Sequence, residues 1–298
     1  MTVLAALVLA LYAVLAGVLA PGRLARAAWP QRAPRLALTA WLALAAAFTA
    51  AVALTAYHLA LTGPGAHAHG LLALLEPGTR AAGPEGPAVL VPIALAAAWP
   101  LARIAAAARR ARRDRTEHLE RLTLAGRTDP GLGAVLLDHP TPVAYCLHRG
   151  PVVISSGTVA RLTDGQLYAV IQHERAHLAG RHHLLLTLGA GLADAFRGLP
   201  LGRGLRAQIA PLLEMLADDR AARSCRPEDL AAAMCEVGTP HPSPATLPAG
   251  GGSRTLLRMR RLLRPAPRPR PAVRLVALAL IALAPLVPYL LTCGPTPG

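Results

Sequence analysis

A chain of 298 residues with 53% hydrophobic side chains and a mean hydropathy of +0.40 is too apolar for an ordinary soluble domain, so membrane spans are expected first. Its formal charge of +15 comes entirely from arginine, and aromatic residues at 3% are too scarce for a surface that stacks nucleic-acid bases; no direct nucleic-acid binding is expected. Cys146, Cys225, Cys235 and Cys293 show no CxxC spacing, which excludes a disulfide framework and a cysteine-based zinc motif.

Residues 3–20, "VLAALVLALYAVLAGVLA", carry no charge and are long enough to cross a bilayer as a helix. No positive n-region precedes them, so a retained span is expected rather than a signal peptide. Residues 36–61 and 88–108 form the second and third spans; the third holds Pro92 and Pro100, which membrane helices tolerate, and Arg103, which can snorkel near its end. Residues 273–292 form a fourth. The loop after the first span carries Arg23, Arg26, Arg32 and Arg35; "ARRARRDR" follows the third span and "RMRRLLRPAPRPRPAVR" leads into the fourth. The positive-inside rule places these stretches in the cytoplasm and both termini outside. The expected organisation is three spans in 1–108, a cytoplasmic domain in 109–272, and the fourth span with a short external tail in 273–298. Membrane lipid is the partner for the basic stretches at the span edges.

In the cytoplasmic domain, 134–156 reads as two or three short strands, with "PVAYCL" and "PVVIS" the best candidates; Pro142 and Pro151 at their starts suit edge strands. Thr163 with Gln166 three residues later is a capping box, so a helix should start near Asp164 and run past His183. Its apolar continuation to residue 196 is expected to be buried or to lie at the membrane surface. Further helices are expected over "PLLEMLADDRAAR", with Pro211 in its first turn, and from Pro227. Residues 238–252, rich in Gly, Pro and Ser, read as a flexible loop, and "RTLLRMRRLLR" as a basic amphipathic helix on the lipid surface.

The chemistry concentrates in His173-Glu174-Arg175-Ala176-His177, an HExxH. Helical positions i and i+4 share a face, so both imidazoles can point at one metal about 2 Å from each nitrogen. Glu174, beside the first histidine, is placed to take a proton from a metal-activated water rather than to bind the ion. A zinc site needs a third protein ligand and one open position. Glu214 supplies that ligand from a downstream helix, and Asp218, four residues on, accepts from the outer N–H of a ligand histidine and so fixes its ring. His182 and His183 turn off the His177 face and read as a polar collar; Asp219 reads as a solvated charge; His67 and His69 read as a solvated loop, and His139 and His148 as surface residues.

HExxH followed by "EMLAD" resembles the gluzincin pattern of membrane metallopeptidases. "HPTPVAYCL…VVISSG…HERAHLAGRHH…EMLADDRAA" is similar to the BlaR/MecR-type antirepressor family of integral-membrane zinc peptidases, and more distantly to HtpX-like peptidases, over about residues 130–237. The resemblance implies one Zn2+ per chain held by His173, His177 and Glu214, with Glu174 as acid and base, in a cytoplasmic α+β gluzincin domain carried by a mainly α, four-span membrane protein. It also implies that Ala144, Tyr145 and Cys146 lie on an edge strand that pairs with substrate backbone. In antirepressor systems the cytosolic protein substrate is a winged-helix repressor of the BlaI type. The penicillin-binding domain of the antibiotic sensors would follow the last span, where about six residues remain, so a β-lactam sensor is not expected. The other classes considered are a signal-transducing membrane protein with a zinc-organised domain and little turnover, an HtpX-like quality-control protease, and a transporter. Apart from Arg274 at the very start of the fourth, only Arg103 and His58 are basic or acidic within the expected spans, which disfavours transport.

Overall fold

Apolar helices dominate the first hundred residues. In the computed structural model, which describes residues 2–60, 86–147, 150–237, 251–264, 269 and 271–292, α1 (Thr2–Val14) passes through a π-turn at Leu15–Leu19 into α2 (Ala20–Arg26). α3 spans Pro34–Ala60 and α4 spans Gly86–Ala125. Three stretches among the described residues, Val3–Arg26, Pro34–Ala60 and Val91–Glu120, are long and apolar enough to cross a membrane. They coincide with the first three expected spans, although α4 continues unbroken past residue 108.

The expected fourth span is two helices, α11 (Pro271–Leu283) and α12 (Val287–Thr292). Alone, the 13 residues of α11 reach only about 20 Å, short of a hydrocarbon core of roughly 30 Å. Two prolines cause the break: Pro285, just past the end of α11, has no N–H for the Ile281 carbonyl, and Pro288 likewise leaves the Ala284 carbonyl without its helical donor. The Tyr12 hydroxyl donates to that carbonyl instead, at 2.6 Å, and ties the segment to α1.

Beyond α4 the chain forms a four-stranded sheet in the order β1-β2-β4-β3, from β1 (Gly126–Asp129), β2 (Ala134–Leu137), β3 (Ala144–Cys146) and β4 (Val152–Ser155). β2 runs parallel to β4; the other pairs are antiparallel, and Ala144 lies opposite Ile154. β3 is an edge strand as expected, whereas β4 is interior and buried throughout; Pro151 just precedes it, so the missing N–H removes no rung of the ladder. Ser155 caps α5 (Ser156–Arg161), and the Thr163–Gln166 capping box opens α6 (Asp164–Ala179).

The expected run of that helix past His183 is interrupted. Gly180 ends α6, Arg181 takes a left-handed conformation (φ 49°), and α7 (His182–Ala195) starts in a new direction. α8 (Pro200–Ala221) begins a full three turns earlier than the sequence suggested, with Pro200 in its first turn and Pro211 inside it; extended Leu199 and the fixed φ of Pro200 set the true start. α9 (Pro227–Val237) begins where expected, and α10 (Gly251–Leu263) follows. Residues 238–250, within the expected loop, lie outside the described residues, as do His67, His69 and His148.

One core joins the apolar helices to the remainder. Trp41 of α3 is buried among Leu192 and Phe196 at the end of α7 and Leu201, Leu205, Ile209 and Leu213 of α8. A second core sets Leu167, Val170 and Ile171 of α6 on Val152 and Ile154 of β4. α4 and α7 touch at backbone distance: a Cβ on Gly191 would stand 2.5 Å from the Ile104 Cα. Gly191→Val therefore has to push two helices apart and is expected to cost about 1–3 kcal/mol, read as a lower thermal midpoint of the detergent-solubilised chain; an unchanged midpoint would show that this contact does not set the packing.

Candidate metal centre

α6 is held by the sheet on one side and by α8 and α9 on the other, which leaves His173, Glu174 and His177 buried between packed elements. α8 crosses this face and delivers Glu214 and Asp218, one helical turn apart. The Nε2 atoms of His173 and His177 stand 3.1 Å apart. The Glu214 carboxylate lies 3.5 Å from each, Oε2 toward His173 and Oε1 toward His177. A tetrahedral ion with bonds of about 2.0–2.1 Å would separate its ligand atoms by about 3.3–3.4 Å. The three donors therefore already stand near the corners of one tetrahedral face, and they are the one such metal-capable group among the described residues. Glu214 remains 21% exposed, while His173 and His177 are buried.

The residues behind these donors fix them. Asp218, 1% exposed, brings Oδ1 to 3.1 Å from His173 Nδ1, leaving Nε2 of that ring to face the centre. Arg258 of α10 grips Asp218 with two parallel bonds, Nε to Oδ2 and Nη2 to Oδ1, each 2.8 Å, and places Nη1 3.0 Å from Glu214 Oε2. His182 Nδ1 lies 3.0 Å from His177 Nδ1. Such a pair needs one proton between the two nitrogens; if His177 keeps its proton on Nδ1, its Nε2 lone pair is free for a metal. A Cβ at position 180 would fall 2.3 Å from His182 Nε2, so Gly180 makes room for the return of His182.

Charge follows geometry. Burial alone would lower the His173 pKa, but the carboxylates of Asp218 and Glu214 raise it to about 10. Burial would likewise raise Glu214 and Asp218, yet His173 and Arg258 hold both below the usual carboxylate range. The two carboxylates thus make the centre favour positive charge, which is the electrostatic behaviour a metal site requires.

His173, Glu174, His177, Glu214 and Asp218 are all brought together. Of the strand residues, Ala144 and Cys146 face α6, and the Cys146 thiol is pushed well above its ordinary range, first by burial and then by the Glu174 charge. Tyr145 points to the opposite face, where its hydroxyl shares a 2.7 Å hydrogen bond with His118 Nε2 of α4.

Two functional neighbours escaped sequence reasoning. His182 is not a collar residue: the turn at Gly180–Arg181 folds it against His177, and Gly180 was its only sequence signal. α10 is not a lipid-surface helix either; it packs on α8 and α9 through Leu262 and Met259, and Arg261 pairs with Asp219 at 2.6 Å. Arg258 lies one turn before buried Leu262, on the inner side of that helix, a position that distinguishes it from the other arginines.

Arg258→Gln removes the countercharge of two inward carboxylates and is expected to cost the metal-free chain about 3–5 kcal/mol. Added Zn2+ restores positive charge at the same place, so it should raise the thermal midpoint more in the variant than in the parent. A loss within about 0.5 kcal/mol, as for a surface arginine, would contradict this role.

Residues 108–208 match the family model of Peptidase family M48, a stretch that includes His173, Glu174 and His177 and stops short of Glu214. No solved structure matches the chain. The match is to M48 broadly and does not single out the BlaR/MecR type. Over these residues the chain is similar to the M48 metallopeptidases, and with the convergent donor set this supports a metal-dependent peptidase in a membrane protein.

Proposed function

We propose that this chain is an integral-membrane zinc metalloendopeptidase that cuts a cytosolic or membrane-associated protein at the inner membrane face. The observation that carries the reading is the near-tetrahedral convergence of His173 Nε2, His177 Nε2 and Glu214 beside buried Glu174. The cytoplasmic placement rests on arginine-rich 108–115 and 258–274 flanking the apolar segments, and a fourth crossing over 271–292 is part of the same proposal. Zinc is the ion that fits two imidazoles, one carboxylate and an open position, and when bound it acidifies water and polarises a carbonyl.

The chain's own residues do the remaining work. Glu174 accepts a proton from the attacking water and delivers it to the nitrogen of the departing amine, so the peptide C–N bond breaks as a C–O bond forms. Asp218 and His182 hold the two imidazole rings in register, and Arg258 anchors Asp218. The edge of β3 opposite β4 has no strand partner among the described residues, and substrate backbone pairs there beside α6. A BlaI-type winged-helix repressor is one substrate for this arrangement; a protein of the membrane itself is the other.

Glu174→Gln leaves the three donors in place, so zinc content should stay at the parent value while turnover falls by at least about 10²–10⁴-fold, the usual range for loss of a general acid–base group. Comparison of new protein N-termini in cells carrying each form reads this out and identifies the substrate. The same new termini in both would remove the catalytic assignment and favour a transducer with little turnover.

A further inference from the structure

At the end of α7 remote from His182, a cluster of arginines surrounds a single carboxylate. Asp194, in the last turn of α7, receives Arg206 of α8 at 2.6 Å, Arg110 of α4 at 2.9 Å, Arg197 at 3.4 Å and Arg103 of α4 at 3.7 Å. Four guanidiniums against one carboxylate leave a net charge of +3. Each guanidinium carries five N–H donors, far more than one carboxylate can accept. Arg110 and Arg197 turn 55% and 74% of their side chains to the outside.

The cluster borders an apolar groove of about 490 Å³ lined by Phe48 and Val52 of α3, Leu95 and Trp99 of α4, and Phe196 and Leu199 after α7. Trp99 joins the two features. Its indole N–H donates to the Ala195 carbonyl at 3.0 Å, and Arg103 sits over its ring, 5.6 Å from the centroid. Arg197 belongs to both, since it lines the groove and pairs with Asp194. The groove lies between α3 and α4, both long and apolar enough to cross a membrane, and Arg103 and Arg110 follow Trp99 along α4.

We propose that this groove and the Asp194 arginine cluster form a specific site for one anionic phospholipid, with an acyl chain along Phe48, Leu95 and Trp99 and the phosphate on Arg103, Arg110 and Arg197. Charge complementarity selects the headgroup, and the apolar flank selects a lipid over a soluble phosphate compound. The site is independent of the peptidase reading. Its phosphate would neutralise part of the +3 cluster and strengthen the junction of α4, α7 and α8, and α8 is the helix that carries Glu214.

The test uses the full chain in detergent, with phosphatidylglycerol, phosphatidylcholine and inorganic phosphate as probes. Native mass spectrometry counts retained lipid, and thermal unfolding reads stabilisation. Phosphatidylglycerol should be retained as one tightly held copy and raise the midpoint above that with phosphatidylcholine. Inorganic phosphate should do neither. R110Q/R197Q should weaken phosphatidylglycerol binding by roughly thirtyfold, the loss expected for two basic contacts to an anionic lipid. L95W fills the groove without touching charge; it should also reduce retention while the lipid-free midpoint holds, so the proposal stays testable if the double variant folds poorly. Equal retention of the two lipids, or retention unchanged in both variants, would overturn the proposal. A shift reproduced in full by inorganic phosphate would overturn the lipid assignment.

Discussion

A buried carboxylate at position 218 is the constraint around which the domain is arranged. Asp218 is 1% exposed, and an ionised carboxylate at that depth is unstable unless its oxygens are paired. Here His173 of α6 and Arg258 of α10 meet it from two sides. Three helices far apart in sequence are thereby locked in one register. The same register leaves the free nitrogen of His173 facing His177 and Glu214, so the interaction that solves the burial problem also builds the donor triangle. Arg258 reaches Glu214 as well, and one guanidinium thus balances both carboxylates of α8.

α8 carries this arrangement toward the membrane. Its C-terminal half supplies Glu214 and Asp218, while its N-terminal half packs Leu201 and Leu205 against Trp41 of α3. A Cβ at Gly204 would collide with the Trp41 ring, at 2.2 Å, so the two helices meet closely. The metal centre and the apolar helices therefore share one helix, with Pro211 between its two halves. α4 adds to this by running without a break from an apolar stretch to the residues just before the sheet.

What could be read in advance was what helical periodicity determines. HExxH places two imidazoles on one face wherever the helix sits, and the same spacing relates Glu214 to Asp218. The capping box at Thr163 fixed the start of α6 by local chemistry alone. The missed features depend on partners distant in sequence. Gly180 is a local stop signal for α6, but that the turn brings His182 onto His177 is encoded by no local pattern. Arg258 looks like its neighbours in a basic helix until α10 is packed on α8. Pro211 carries the same start-of-helix signal as Pro200, and only extended Leu199 decides between them. The division of 271–292 into two helices was signalled locally by Pro285 and Pro288; the pairing of Tyr12 with the Ala284 carbonyl was not.

The central claim is that His173, His177 and Glu214 together hold one zinc ion. X-ray absorption at the zinc edge of the purified full chain, with metal content measured on the same sample, tests it most directly. One zinc per chain is expected, with two imidazole nitrogens and carboxylate oxygen at about 2.0–2.2 Å, and Glu214→Ala should lose an oxygen scatterer or the metal itself. A coordination shell without imidazole, or one that Glu214→Ala leaves unchanged, would contradict it.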